Sequence, residues 1–130
     1  SCIRWVEVFR NDTRLKVQIF YDVVGGCYSN FGMVGYRDNG LSLGGRCEEI
    51  PIIIHEMGHT MGLYHTQSRP DRDSYVKIWP QNIKPGTESL FEKSVSDTFD
   101  VPYDYKSMMH YGSDVCSDIY TSLKEFVIKV

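Results

Sequence analysis

Three histidines and one glutamate stand at the spacing of a metal centre: His55-Glu56-x-x-His59-x-x-Gly62-x-x-His65. A helix advances by about 100° per residue, so His55 and His59 lie on one face a single turn apart. Two imidazoles so placed can close on one ion. Glu56 sits beside that face. Gly62 follows where a helix would end, because glycine takes the left-handed turn that stops one. The chain can then swing His65 back as a third ligand. Three neutral nitrogen ligands suit zinc and leave one position for water, whose pKa the metal lowers to about 7. Glu56 could take the proton from that water and pass it to a leaving amine. A closed structural zinc site normally has four protein ligands with cysteine among them, and this stretch holds no cysteine. The spacing therefore points to one zinc ion held for hydrolysis.

The elements that must position these side chains follow from the flanking pattern. Glu48 and Glu49 suit the positive end of a helix dipole, and Pro51 suits a first turn. Ile50, Ile54, Met57 and Met61 recur at helical spacing away from the histidines, which predicts a core stripe on the opposite face. Upstream, Ile3 to Phe9 reads as a strand and Arg10 to Arg14 as a polar turn. Leu15 to Tyr21 alternates like a half-buried strand. Cys27 to Tyr36 is an extended, glycine-punctuated stretch. Asp38-Asn39-Gly40 is a turn signal before a short strand, Leu41 to Leu43. Downstream, Thr66 to Asp73 has the composition of a solvated loop, and Tyr75 to Ile78 is apolar enough to pack beneath the site. Thr87 to Lys93 predicts a short helix capped by Thr87.

The composition bounds the remaining choices. A chain of 130 residues with 42% hydrophobic and 13% aromatic residues supports one globular domain rather than disorder. The net charge of −3 favours neither nucleic acid nor an anionic membrane. No apolar run is long enough to span a bilayer. Cys2, Cys27, Cys47 and Cys116 form no Cys-x-x-Cys pair, so disulfides in an oxidising, secreted setting are expected, with the pairing open. Asn11-Asp12-Thr13 is a glycosylation acceptor of the kind found on secreted surface loops.

A second signature lies downstream: Tyr103-Asp104-Tyr105-x-Ser107-x-Met109-His110-Tyr111. Together with the histidine motif, continued through Arg69, Asp71, Arg72 and Asp73, it resembles the astacin family of zinc endopeptidases within the metzincins. The likeness runs from about Cys2 to Gly112, with further matches at Gly26 to Ser29, Val34-Gly35, Ser42 to Gly44 and Cys47. No likeness is read in residues 113–130.

The resemblance implies an α+β metzincin-like fold: a small mixed twisted sheet, a zinc-ligand helix, and an irregular C-terminal lobe ending near a Met-turn. It implies His55, His59 and His65 as zinc ligands and Glu56 as general base. Met109 would be the Met-turn floor. Tyr111 would ligate zinc at rest, then swing to hydrogen-bond the oxyanion. It implies a Cys27–Cys47 disulfide. It also implies an edge strand at about Cys27, Tyr28 and Ser29 that takes peptide or protein substrates as an added antiparallel strand.

The departures from the family are informative. Thr66 stands where the family usually has glutamate, and Leu63 where phenylalanine is usual. Family members have a strand and a long helix before the Cys2 position and a longer lobe after the Met-turn. The chain is thus expected to be one partial peptidase domain over residues 1–130, with any propeptide outside it. An impaired relative that binds peptides as a decoy is the alternative expectation.

Overall fold

The computed structural model describes residues 3–22, 24–33, 35, 38–45, 47–115 and 127–129. Cys2 and Cys116 fall outside them, as do Val34 and Tyr36 of the extended stretch and most of the tail.

The N-terminal half is a three-stranded sheet with one helix on it. Strands β1 (Val17–Phe20), β2 (Cys27–Ser29) and β3 (Asn39–Leu43) lie in the order β1-β3-β2. β1 runs parallel to β3, from Val17 opposite Asn39 to Phe20 opposite Ser42. β2 runs antiparallel on the other side, with Cys27 opposite Leu43. β3, in the middle, carries the burial: Leu41 and Ser42 are enclosed, and the Ser42 hydroxyl donates to the Gly26 carbonyl at 2.6 Å. Helix α1 (Ile50–Thr60) packs on β2 and β3.

The Cys27–Cys47 disulfide ties the start of β2 to the segment entering α1, with Cα atoms 5.6 Å apart and a sequence separation of 20. The pairing is the one that the resemblance implies. Closing a loop of that size stabilises a fold by about 3 kcal/mol through the unfolded chain. Cys27→Ala/Cys47→Ala is expected to lower the unfolding free energy by that amount in a urea titration. An unchanged midpoint would show that the bridge constrains nothing.

Four readings of the sequence are corrected in this half. Ile3 to Phe9 forms no strand: the segment is irregular and largely exposed, with Phe9 at 86%, and no sheet partner meets it among the described residues. The Asn39-Gly40 turn signal lies inside β3, where parallel pairing with β1 and bonds to Asn30 override the local preference. β1 exists but is not half-buried, since Ile19 and Phe20 are exposed. The helix stripe is also largely uncovered, with Ile50 at 72% exposure and only Met57 half-buried. The helix buries Glu56, Gly58, His59 and Thr60 instead. Periodicity identifies an apolar face but does not supply a neighbour to cover it.

The C-terminal half is built from one-turn 3-10 segments: Thr66–Ser68, Arg72–Ser74, Pro80–Asn82 and Glu88–Phe91. A two-stranded ribbon joins β4 (Lys77–Ile78) to β5 (Ile128–Lys129). Its core is Val76, Ile83, Phe91, Tyr103, Val127 and Ile128, with Ile78 and Tyr111 packed against it. Thr87 precedes a 3-10 turn rather than an α-helix, and its hydroxyl donates back to Lys84 instead of capping. Thr66, Gln67 and Ser68 are buried, contrary to the solvated-loop reading. Arg72 explains how polar backbone is accommodated there: its guanidinium donates to the Gln67 and Phe91 carbonyls at 2.9 and 2.6 Å.

Candidate metal centre

α1 delivers its two histidines from the last two turns. The helix then stops in a Schellman turn: Leu63 N–H donates to the Gly58 carbonyl at 3.0 Å, and Gly62 N–H donates to the His59 carbonyl at 2.9 Å. Gly62 has φ +88°, a conformation that side chains disfavour. The chain reverses there and returns His65 to the helix. One ligand atom from each of His55, His59 and His65 lies within 4.8 Å of the others. The ring centroids are 4.6 to 5.1 Å apart.

Second contacts fix which nitrogen faces inward. His55 Nδ1 is 2.6 Å from the Met108 carbonyl, and His59 Nδ1 is 2.8 Å from the Leu63 carbonyl. A carbonyl only accepts, so each Nδ1 carries the proton and each Nε2 presents a bare lone pair. His55 Nε2 points at His65 Nε2 across 3.2 Å. Three imidazole nitrogens converging in this way can hold one cation, and an all-imidazole set suits zinc. Burial pushes His65 down to about 4, helped by the neighbouring imidazoles, and burial also lowers His59. Both rings are therefore neutral, as metal ligands must be, at ordinary pH.

Glu56 is buried beside this cluster, and burial raises its carboxyl pKa against the lowering effect of His55. Its Oε2 has no hydrogen-bond partner. A buried carboxylate oxygen with nothing to accept from is costly to keep ionised.

Met109 lies below. A Cβ on Gly58 would stand 2.7 Å from Met109 Sδ, so the helix meets the sulfur where it has no side chain. Thr66 N–H donates to the Met109 carbonyl at 2.9 Å. Tyr111 flanks the cluster, its ring 4.3 Å from that of His65. Phe31 forms a wall on the other side, with its ring 4.6 Å from that of His59 and stacked on Tyr64 at 4.9 Å.

β2 is the sheet edge nearest the helix: it pairs with β3 on one side, and no strand pairs with its other side among the described residues. Tyr28 on that strand donates its phenol to Asp22 at 3.0 Å. The structure thus gathers His55, His59, His65, Glu56 and Tyr111, brings Met109 against the same helix at Gly58, and packs β2, Cys27 to Ser29, on that helix. Sequence reasoning missed the Met108 carbonyl, which carries no side-chain signature. It also missed Gln67, whose Oε1 accepts from Tyr111 N–H at 3.0 Å. The signal for Gln67 was present in principle, as a long amide directly following the third histidine's turn.

Residues 1–124 match the family model described as Astacin, a peptidase family. High choriolytic enzyme 2 of Oryzias latipes is 43% identical over 123 residues, covering 92% of this chain and 42% of that protein. Zinc metalloproteinase nas-31 of Caenorhabditis elegans is 47% identical over 117 residues, covering 86% and 18%. Meprin A subunit beta of Mus musculus is 41% identical over 109 residues, covering 78% and 16%. Among solved structures, High choriolytic enzyme 1, a hatching enzyme zinc-protease from Oryzias latipes, superposes with a TM-score of 0.83 at 38% identity, covering 93% of this chain and 58% of that one. The chain thus spans less than half the length of these curated relatives.

Proposed function

Because this chain belongs to the astacin family of peptidases, we propose that it is the metal-binding part of a secreted endopeptidase that hydrolyses peptide bonds. The observation that carries this reading is the convergence of three imidazole nitrogens beside a buried carboxylate with an unpartnered oxygen. His55, His59 and His65 would hold one zinc ion. That ion supplies a Lewis acid that acidifies water and polarises the scissile carbonyl.

The remaining work falls to the chain's own residues. Glu56 takes a proton from the attacking water on its carboxylate and returns it to the leaving amine. A peptide or protein substrate adds antiparallel to the open edge of β2, at Cys27, Tyr28 and Ser29, so recognition is largely by backbone. Met109 keeps the floor beneath the rings apolar. Tyr111 has two roles in this reading: it would help hold the ion at rest, and it would donate its phenol to the oxyanion once substrate is bound. The disulfide and the exposed acceptor at Asn11 fit an oxidising, extracellular setting. No helix among the described residues is long and apolar enough to cross a membrane.

The direct test loads the purified chain with one equivalent of zinc and follows an internally quenched peptide. Cleavage that stops with 1,10-phenanthroline and returns with zinc supports the reading. A chain that holds zinc and binds the peptide without cutting it would overturn turnover and leave a decoy. Tyr111→Phe should lower kcat by about 100-fold with KM within a few-fold, as expected for an oxyanion donor. An unchanged kcat in steady-state kinetics would remove Tyr111 from that role.

A further inference from the structure

We propose that Gln67 is a positioning residue that sets where the Tyr111 phenol stands. The inference rests on the reading of Tyr111 as oxyanion donor. Gln67 has no exposed surface, although it follows the third ligand in a polar segment. Its side-chain Oε1 accepts from Tyr111 N–H at 3.0 Å, while its own backbone carbonyl is fixed by Arg72 at 2.9 Å. The same amide leaves its Nε2 buried and without a partner.

That orphan is the informative feature. An unsatisfied buried donor costs on the order of 1–3 kcal/mol, and an apolar side chain of similar size would avoid it. That apolar residue would in turn take the acceptor from the Tyr111 N–H, so the two choices are near balance and stability alone does not select glutamine. The bond to Tyr111 does: the amide oxygen is the acceptor that the Tyr111 N–H requires, and presenting it leaves the nitrogen stranded.

The other end of the same residue is held as well. His110 Nδ1 donates to the Tyr111 carbonyl at 2.7 Å, and the Tyr103 phenol, 2.8 Å away, donates to His110 Nε2. Tyr111 thus leaves the floor at Met109 with both its backbone groups bonded. Its ring rests between those of His65 and Phe91, at 4.3 and 6.1 Å. Releasing the N–H end lets the Cα–Cβ vector turn, and a displacement of about 1 Å at a reacting group can cost about 100-fold in rate.

The experiment is a double-mutant cycle on the zinc-loaded chain: wild type, Gln67→Met, Tyr111→Phe and the pair. Gln67→Met is expected to lower kcat about tenfold with KM, zinc per chain and melting temperature little changed, since it exchanges one buried orphan for another. Gln67→Glu keeps an acceptor oxygen and should restore kcat. In the Tyr111→Phe background, Gln67→Met should change kcat by less than about twofold. Amide exchange at Tyr111 should quicken in Gln67→Met, independently of turnover. Gln67→Leu gives the same comparison if the methionine variant folds poorly.

An equal fall in kcat in both backgrounds would make Gln67 merely structural and overturn the proposal. So would full kcat in Gln67→Met while Tyr111→Phe alone is impaired. If Tyr111→Phe alone keeps full turnover, the role of Tyr111 falls first and this inference with it.

Discussion

Glu56→Gln should retain one zinc per chain and lose about 1,000-fold in kcat/KM, the middle of the range for a positioned general base. Two of the three imidazoles are oriented without this carboxylate: the His55 and His59 rings are fixed by the carbonyls of Met108 and Leu63. Metal content should therefore be untouched. The fold should not suffer either. Burial raises the Glu56 pKa, so the ionised form is disfavoured in the folded state, and the folded chain holds its proton to a higher pH than the unfolded one. Any stability from this group is thus present at low pH and lost as pH rises through the raised value. A neutral amide of the same shape removes that penalty, so the melting temperature at neutral pH should be equal or higher. Zinc by mass spectrometry, a thermal melt and progress curves on a quenched peptide test all three statements. Turnover within tenfold of wild type at full zinc occupancy would take the proton-transfer role away from Glu56.

The second large effect is expected at His59. Loss of a partner that merely orients a ligand costs about 10–100-fold in metal affinity, so loss of the ligand itself should cost more than 100-fold. His59 is also the most enclosed of the three rings, lying between Phe31, His55 and His65. His59→Ala should therefore release zinc to a chelating dye at concentrations where wild type keeps it. It should also lower the melting temperature of the apo chain, because a cavity opens under Phe31. Equal zinc affinity in the variant would mean that the ion is held elsewhere. The order of effects also separates the two residues: Glu56→Gln is inactive but loaded, and His59→Ala is inactive because it is empty.

How much of this was legible beforehand depends on how local each signal is. Convergence of the three rings follows from a four-residue step on a helix and a glycine stop, which are short-range facts. The Cys27–Cys47 bridge was legible by resemblance alone, since spacing leaves the pairing open. Asn39-Gly40 misled because its turn preference is local, whereas its place in β3 is set by β1, Gln18 of which lies opposite Gly40. Ile3 to Phe9 misled differently: its pattern suits a strand, but a strand also needs a partner, and pattern does not provide one. The stripe from Ile50 to Met61 carries the same lesson for a helix. Met108 and the partner of Gln67 escaped the sequence for a third reason. One acts through a backbone carbonyl common to every residue, and the other through a bond across 44 positions.

The left-handed reversal at Gly62 has a consequence for what this chain can tolerate. Between the second and third imidazole the path is a single tight arc, pinned at its start by the bonds that terminate the helix and just past its end by the bond from Thr66 N–H to the Met109 carbonyl. Side chains along that arc can be exchanged, as the exposed Leu63 and Tyr64 suggest. Its length cannot: one inserted or deleted residue would rotate His65 out of register and leave two rings facing an empty third corner. What inheritance has to preserve here is therefore a count as much as a composition.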